Sequence, residues 1–267
     1  YKCLDGQTQT LNDIFEGDHE VSNDIINSKK PMIIIGESLL RSKFSKFLFN
    51  KTKEFLLKNK KISDEWNSLN ILSCDAATVG NFDLGIINNK SNILNDLKEH
   101  KFDIVYLVGQ DNINFDKKDE FVIYQGSHGD KGAECADIIL PGSAYTEQNG
   151  YFTNLEGKVQ KAYKGSYPPG EAKEDWQIIN ELAEFMNNRK LFNDKDELDS
   201  SMFNYLNLQK EKQLEEIITE SVNSFKNEKL NINIKDYYFS NVVARSSKTM
   251  LDCQNSKLKI KGTGTDG

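Results

Sequence analysis

The sequence predicts an α/β protein with a mostly parallel β-sheet and additional helices towards its C-terminus. Short, unbroken apolar runs rich in β-branched residues recur in the first half of the chain, as in parallel strands covered on both faces. Helical patterns separate these runs, which is the order expected of βαβ units. The chain has 267 residues, and this length is sufficient to bury a hydrophobic core without disulfides or a structural metal.

The first half of the chain supplies the predicted sheet. After a polar opening, the run Met32, Ile33, Ile34, Ile35 ends at Gly36 and predicts a strand over residues 30–36. A helical pattern follows over residues 38–60, with Ser38 as its predicted N-cap. The remaining predictions in this half are a strand at 69–73, a loop or insertion at 76–84, a helix at 93–99, and strands at 102–109 and 120–125.

The second half is predicted to be less regular. Residues 126–170 are glycine-rich and almost without helical periodicity, so we expect a loop-like region there. A helix is predicted over 171–186, then a polar linker over 187–201. Apolar residues at helical spacing predict an amphipathic helix over 209–226, and a final helix is expected over 240–251. The predicted regions are thus an α/β region at 1–186 and a helical extension and tail at 187–267.

Composition excludes several classes of function. The formal net charge is −7 and the isoelectric point is about 5.2, whereas nucleic-acid binding needs a basic surface that displaces counterions from phosphates. No apolar run approaches the roughly 20 residues needed to cross a bilayer, and the acidic N-terminal residues do not resemble a signal peptide. We therefore expect neither nucleic-acid binding nor direct membrane insertion.

The cysteines argue against a metal cluster held by this chain alone. Cys3, Cys74, Cys135 and Cys253 are too far apart to form a CxxC or ferredoxin-like motif. Free thiols in a reducing compartment are the simpler expectation. His19, His100 and His128 are also far from one another in sequence, so no zinc site is predicted.

Two glycine-containing segments suggest phosphate binding at first sight. Gly36 stands alone between a strand and a helix, and the adjacent Glu37 would repel a phosphate, so a plain strand-to-helix turn is expected. Residues 126–132 carry three glycines with His128 and Asp130, which would also suit an acid–base pair. The apolar run that follows is extended, so we interpret this segment as a loop shaped by its glycines, with His128 held by hydrogen bonds.

Hydrolytic chemistry has little support. Ser143 follows Gly142, but the GxSxG motif of a nucleophile elbow is absent. Glu147 and Glu156 would be a glycosidase pair only at a suitable separation in space, which sequence does not give. Neither pattern yields a predicted catalytic residue.

A long ordered series of residues nevertheless resembles a known family. The series comprises residues 29–36, 124–133, 136–147, 151–160, 168–170, 174–179, 234–238 and 244–247. Over these segments the chain is similar to the 75 kDa large iron–sulfur subunit family of mitochondrial respiratory complex I (NADH:ubiquinone oxidoreductase), and the resemblance spans nearly the whole chain. Lys158 departs from the arginine usual in the family, and Cys135 occupies a variable position.

The resemblance implies a structural rather than a chemical role. It implies Rossmann-like layers of a molybdopterin-oxidoreductase-like fold over 1–186, incomplete in this chain, with the N-terminal part supplied elsewhere. Iron–sulfur clusters are expected in that N-terminal half or in a partner chain, and no catalytic, cofactor-binding or metal-binding residue is expected in this one. The enzyme activity would belong to the assembled complex.

The same resemblance implies a place and partners. The chain would lie in the peripheral arm of complex I, on the matrix side of the inner mitochondrial membrane. Its partners would be other complex I subunits, above all the cluster-bearing N-terminal half. Three alternatives stay open: an active molybdopterin oxidoreductase of the formate dehydrogenase type, a Rossmann-like nucleotide-binding protein, and an assembly protein unrelated to respiration.

Overall fold

A computed structural model of the chain describes residues 3–40, 42–86, 93–114, 116–212, 226–230 and 236–259. These residues form two compact units. The first contains the residues up to Thr78 together with 155–157 and 226–230, and the second contains 79–154, 158–212 and the residues from Asp236. Each unit has a parallel sheet, and helices follow in the C-terminal part, which confirms the predicted α/β class.

The first unit is a small parallel sheet with helices. Its elements are α1 (Thr8–Glu16), α2 (Glu20–Asn27), β1 (Ile33–Gly36), α3 (Glu37–Leu40), α4 (Ser45–Lys58), β2 (Ile62–Ser63), β3 (Trp66–Asn67) and β4 (Leu69–Leu72). Strands β1 and β4 pair in parallel, with Ile33 opposite Leu69 and Gly36 opposite Leu72. Strands β2 and β3 form a short antiparallel pair between them in sequence.

Helix α4 provides most of the apolar interior of the first unit. Its Leu48 and Leu56 are almost completely buried, and the ring of Phe55 lies 5.8 Å from that of Phe15 on α1. Burial of each such side chain contributes about 1.5–3 kcal/mol to folding. Trp66 adds a hydrogen bond, because its indole N–H donates to the carbonyl of Pro31 at 2.9 Å.

The second unit is larger and contains a three-stranded parallel sheet followed in sequence by an antiparallel hairpin. Its elements are α5 (Thr78–Asp83, which begins at the boundary), α6 (Ile93–Lys98), β5 (Ile104–Val108), β6 (Phe121–Gly126), α7 (Lys131–Glu134), β7 (Ile138–Pro141), β8 (Gly150–Thr153), β9 (Val159–Ala162), α8 (Asp175–Asn187), α9 (Lys195–Lys212), a 3-10 helix (Tyr237–Phe239), α10 (Val242–Arg245) and α11 (Lys248–Lys259). The strand order in the sheet is β5–β6–β7, and β8 and β9 form the hairpin.

The core of the second unit lies on one face of this sheet. Leu107, Val122 and Tyr124 are buried there, in neighbouring strands, and pack against partly buried residues of the following loops. The register pairs Leu107 with Tyr124, so both side chains project from the same face. The residues packed against this cluster are Val105, Ile113, Ala133, Cys135 and Ala136.

Three predicted elements within residues 38–84 and 187–201 require correction. The helix predicted over 38–60 is two helices, α3 and α4, because the backbone N–H groups of Ser42 and Ser45 donate turn hydrogen bonds between them. Ser38 lies within α3, which begins at Glu37, and so does not precede a long helix. The loop predicted at 76–84 contains α5, and the polar linker predicted at 187–201 contains the start of α9.

The other differences concern the ends of the chain and the glycine-rich region. The polar opening forms α1 and α2, and residues 126–170 contain α7, β7 and the β8–β9 hairpin. The predicted final helix is divided into α10 and α11. The helix predicted over 209–226 lies outside the described residues beyond Lys212, and the predicted boundary between 186 and 187 stays a prediction.

Candidate functional site

The loops that follow β5 and β6 form the most distinctive site of the second unit. Both strands are parallel and adjacent, so their carboxyl ends lie at the same edge of the sheet. Open α/β sheets bind their ligands at this edge. The glycine-rich segment 126–132 begins here, and the N–H of Gly132 donates to the carbonyl of Asp111 at 3.1 Å, which joins the two loops.

Tyr124 fills the space beside the glycines of this loop. A Cβ atom on Gly126 would fall on the Tyr124 ring and hydroxyl, and one on Gly132 would lie 3.0 Å from two ring carbons of Tyr124. The Tyr124 hydroxyl donates to the carbonyl of His128 at 2.9 Å. Burial, then the nearby carboxylates of Asp111 and Asp130, raise the pKa of Tyr124. These glycines therefore make room for a side chain of the protein itself.

His128 and Asp130 do not form the acid–base pair that the sequence suggests. The Nδ1 of His128 lies 2.9 Å from the hydroxyl of Ser127, which agrees with the interpretation that His128 is held by hydrogen bonds. Asp130 caps α7 by accepting from the N–H of Lys131 at 2.8 Å, and it also pairs with Arg245. Burial opposes ionisation of Asp130, but Arg245 and the Lys131 N–H outweigh it and lower the pKa of the carboxyl group.

A second polar cluster lies on the face of the sheet opposite to Tyr124, near the carboxyl ends of β5 and β6. The side chain of Gln125 is fully buried, accepts from the Tyr106 hydroxyl at 2.5 Å and donates to Asp175 Oδ1 at 2.8 Å. Gln148 approaches the other oxygen of Asp175 at 3.4 Å. Burial, with the nearby Asp175 carboxylate, raises the pKa of Tyr106. This cluster connects β5, β6 and the first residue of α8, and its polar groups bond to one another.

A shallow pocket of about 230 Å³ adjoins this cluster. Trp176 and Phe152 line it together with Asp175 and Lys195. Asp175 bonds to Gln125 and Gln148, and Lys195 pairs with Asp199, so both charged groups of this lining already have partners. The pocket thus presents an apolar, aromatic surface rather than an unpaired charge.

The other candidates from sequence have structural roles. Glu37 accepts from the backbone N–H of Cys74 at 2.6 Å, so it joins the ends of β1 and β4 instead of approaching a phosphate. Glu147 accepts from the N–H of Ala144 at 2.9 Å, and Glu156 is exposed in the first unit. The hydroxyl of Ser143 is buried and makes no hydrogen bond within the described part of the chain.

The potential metal ligands among the described residues are dispersed. Within the described ranges, no group of three or more His, Cys, Asp or Glu side chains comes together as a potential metal site. All four cysteines are free thiols, and burial raises the pKa of Cys135. In the same ranges, no helix is both long and apolar enough to span a bilayer.

Two residues that complete the site are not predicted from sequence. Arg245 lies within a segment that resembles the family, but nothing around it or around Asp111 in sequence suggests a role. Arg245 Nε donates to Asp130 Oδ2 at 2.8 Å, and its terminal nitrogen Nη2 donates to Asp111. The pairs are separated by 115 and 134 positions, and no spacing rule connects residues so far apart.

Comparison with known proteins gives two family matches. The model of the molybdopterin oxidoreductase family matches residues 1–185. A second family model, which describes the C-terminal region of the G subunit of NADH-ubiquinone oxidoreductase, matches residues 204–253. The two matched regions include both sides of the site, since Asp111 and Asp130 lie in the first and Arg245 in the second.

Individual relatives agree with these matches. The chain is 36% identical to the NADH-ubiquinone oxidoreductase 75 kDa subunit of Reclinomonas americana over 94% of its length and 38% of that protein. It is 37% identical to the mitochondrial 78 kDa subunit of Candida albicans over 85% of its length and 33% of that protein. It is 32% identical to the G subunit of NADH-quinone oxidoreductase from Rickettsia bellii over 99% of its length and 39% of that protein. The chain thus spans less than two fifths of the length of these curated relatives.

Proposed function

We propose that this chain, which belongs to the molybdopterin oxidoreductase family, is a structural part of respiratory complex I. Its relatives are subunits of NADH–quinone oxidoreductases. Its role is to position neighbouring modules that carry iron–sulfur clusters, so that electrons pass from NADH to ubiquinone. One observation carries the proposal: three relatives that align over 85% to 99% of the chain are all subunits of NADH–quinone oxidoreductases, as the second family match also indicates.

The proposed role requires no chemistry from this chain. The glycine-rich loop gives no support for a bound molybdopterin, because the ring of Tyr124 fills the space beside Gly126 and Gly132 and so accounts for both glycines. Arg245 occupies the carboxyl edge next to it. We accordingly assign no catalytic or cofactor-binding residue, and place the iron–sulfur clusters in a cluster-bearing N-terminal half or a partner chain.

The proposed location is the peripheral arm on the matrix side of the inner mitochondrial membrane. Two of the relatives are named as mitochondrial or ubiquinone-linked subunits, which supports this location. The proposed partners are other complex I subunits, especially the cluster-bearing half of the same subunit. The alternative, an active molybdopterin oxidoreductase of the formate dehydrogenase type, is not favoured because these relatives are NADH–quinone oxidoreductase subunits.

Native electrophoresis tests the proposal. Mitochondrial membranes are solubilised gently, stained for NADH dehydrogenase activity and probed with an antibody against this chain. Co-migration with the large active complex, with no molybdenum bound in proportion to the chain, is expected. Migration apart from that activity contradicts membership of the complex, and stoichiometric molybdenum contradicts the cofactor-free role.

A further inference from the structure

The guanidinium group of Arg245 lies between two carboxylates that belong to different loops. It donates from Nε to Asp130, from Nη2 to Asp111, and from Nη1 to the carbonyl of Phe239 at 3.4 Å. The exposed fractions of the three charged side chains are 19% for Arg245, 16% for Asp111 and 24% for Asp130. The three charged groups are therefore only partly exposed to water, and charge-assisted hydrogen bonds are stronger there than at a fully exposed surface.

The two aspartates mark the carboxyl edge of the sheet. Asp111 follows β5, which ends at Val108, and Asp130 follows β6, which ends at Gly126. The strands are neighbours in the parallel sheet, so their following loops are adjacent. This is the edge at which open α/β sheets bind ligands, and here a side chain from the C-terminal part of the chain lies on it.

The segment that carries Arg245 is locally well formed, and we call residues 236–245 the strap. The carboxylate of Asp236 accepts from the N–H of Tyr238 at 2.9 Å and so caps the 3-10 helix. Asn241 caps α10 by accepting from the N–H of Ala244 at 2.9 Å. These caps stabilise the backbone on both sides of Ser240, and the hydrogen bonds of the guanidinium group hold the Arg245 side chain between the two loops.

We propose that the strap is a built-in occupant of the ligand-binding edge, with Arg245 in the position that a bound cation would take between the two carboxylates. Arginine suits this task because its planar fork reaches two acceptors at once. The inference goes beyond the proposed function, because it assigns a role to the C-terminal segment whatever complex contains the chain. It also explains how the two family-matched regions are joined in this unit.

Loss of the Arg245 guanidinium should change the chemistry of the two loops. Removing the guanidinium leaves Asp111 and Asp130 as two partly buried carboxylates without their shared cation, and like charges that are close together and partly shielded from water repel each other. The loops should then open, or the carboxylates should recruit a hard divalent cation such as Mn²⁺, which prefers oxygen ligands. The intact chain should show neither behaviour, since Arg245 already balances both charges.

The test uses the full 267-residue chain and its Arg245→Ala variant. Hydrogen exchange of the backbone amides in residues 127–134 is expected to be about tenfold faster in the variant, because these amides would open locally. Exchange in β1 and β4 of the other unit should be unchanged. Arg245→Lys keeps the charge but loses the fork, so an intermediate exchange rate is expected. Arg189→Ala, at an exposed arginine, is the matched control.

A titration with Mn²⁺ separates the strap from a general loss of stability. Mn²⁺ should raise the Tm of Arg245→Ala, but not that of the unaltered chain or of Arg189→Ala. Adding Asp111→Asn to Arg245→Ala should abolish this rise. Unchanged exchange in residues 127–134 of the alanine variant would overturn the proposal. If that variant does not fold, Arg245→Lys decides, and exchange at the native rate in it counts against the strap.

Discussion

Tyr124 connects the interior of the second unit to its candidate site. The side chain is 2% exposed, forms part of the core on one face of the sheet, and ends in a hydrogen bond to the carbonyl of His128. An aromatic ring of this kind gains from burial along its body, while its hydroxyl needs a partner. Gly126 and Gly132 are therefore required by packing rather than by a phosphate.

Gly132→Ala tests this requirement at a single position. The new Cβ would lie 2.6 Å from the carbonyl oxygen of Gln110 and 3.0 Å from the Tyr124 ring. Backbone and ring must both move, so we expect a loss of about 1–3 kcal/mol in the free energy of unfolding. Urea unfolding measures this loss. Gly129→Ala is the control, because a Cβ there meets nothing within 4 Å, and an equal loss in both variants would contradict the packing argument.

Glu120 should make the free energy of unfolding depend on pH in the acidic range. Its carboxylate accepts from the N–H of Lys118 at 2.7 Å and lies 2.6 Å from Nδ1 of His100. The Lys118 N–H, then the N–H of Glu120 itself and His100, lower its pKa from 4.5 to about 2. A lowered pKa in the folded state stabilises the protein above pH 4.5, and this contribution is lost as the pH falls from there towards 2.

Glu120→Gln should therefore flatten the acid dependence of stability. As the pH falls from about 6 to about 3, we expect the unfolding free energy of this variant to decrease less steeply than that of the unaltered chain. This range includes the ordinary pKa of glutamate, 4.5, and approaches the lowered value of about 2. Urea unfolding at several pH values measures the slope. Glu171→Gln, at an exposed position of the same unit, is the control. Equal slopes for the unaltered chain and Glu120→Gln would refute the assignment.

At the scale of elements, Asn180 determines how α8 is followed by α9. Its buried side-chain oxygen accepts from the N–H groups of Leu191 and Phe192 at 2.8 and 3.0 Å, and its side-chain nitrogen donates to the carbonyl of Phe192 at 2.8 Å. One side chain thus satisfies three backbone groups of the connecting loop. Glu174 and Gln177 form a capping box that fixes the other end of α8.

Asn180→Ala should weaken this connection. The change removes the side-chain amide that bonds to both Leu191 and Phe192, and we expect a loss of about 1–3 kcal/mol in unfolding free energy because backbone groups lose their partners. Limited proteolysis should cleave the loop at 188–194 first. Asn204→Ala, at an exposed position of α9, is the control; resistance of the loop equal to that of the unaltered chain would count against Asn180.

The elements also show what sequence can predict. Strands β1, β4, β5 and β6 are predicted correctly because each is a short run rich in apolar residues, and such a run indicates a strand by its local pattern alone. The start of α9 is not predicted, because its polar surface gives no clear apolar stripe. The partnership of Arg245 with Asp111 and Asp130 escapes prediction because it depends on tertiary structure, and sequence separation carries no information about it.

Among the described residues, apolar side chains are exposed at the amino ends of the three sheet strands. Ile104, Phe121 and Ile138 lie there on the face opposite to the core, with exposed fractions of 63%, 43% and 45%. Parallel sheets normally have both faces covered. An exposed apolar patch of this kind promotes association of an isolated chain.

Ile104→Ser should therefore reduce self-association without loss of stability. We expect a larger monomer fraction in sedimentation velocity at the same concentration, with the Tm unchanged, because the side chain is mostly in water. Leu107→Ser, on the buried face of the same strand, should instead lower the Tm. If Ile104→Ser lowered the Tm as much as Leu107→Ser, the face would be covered in solution.

We propose that this chain supports complex I as a scaffold without its own chemistry. This role is tested by depleting the chain in its native cells, followed by native electrophoresis and measurement of NADH:ubiquinone oxidoreductase activity. For a scaffold, we expect the assembled complex and its activity to decline together and re-expression of the chain to restore both. A complex that stays assembled and fully active after depletion would contradict the scaffold role, and an assembled but inactive complex would contradict the absence of chemistry in this chain.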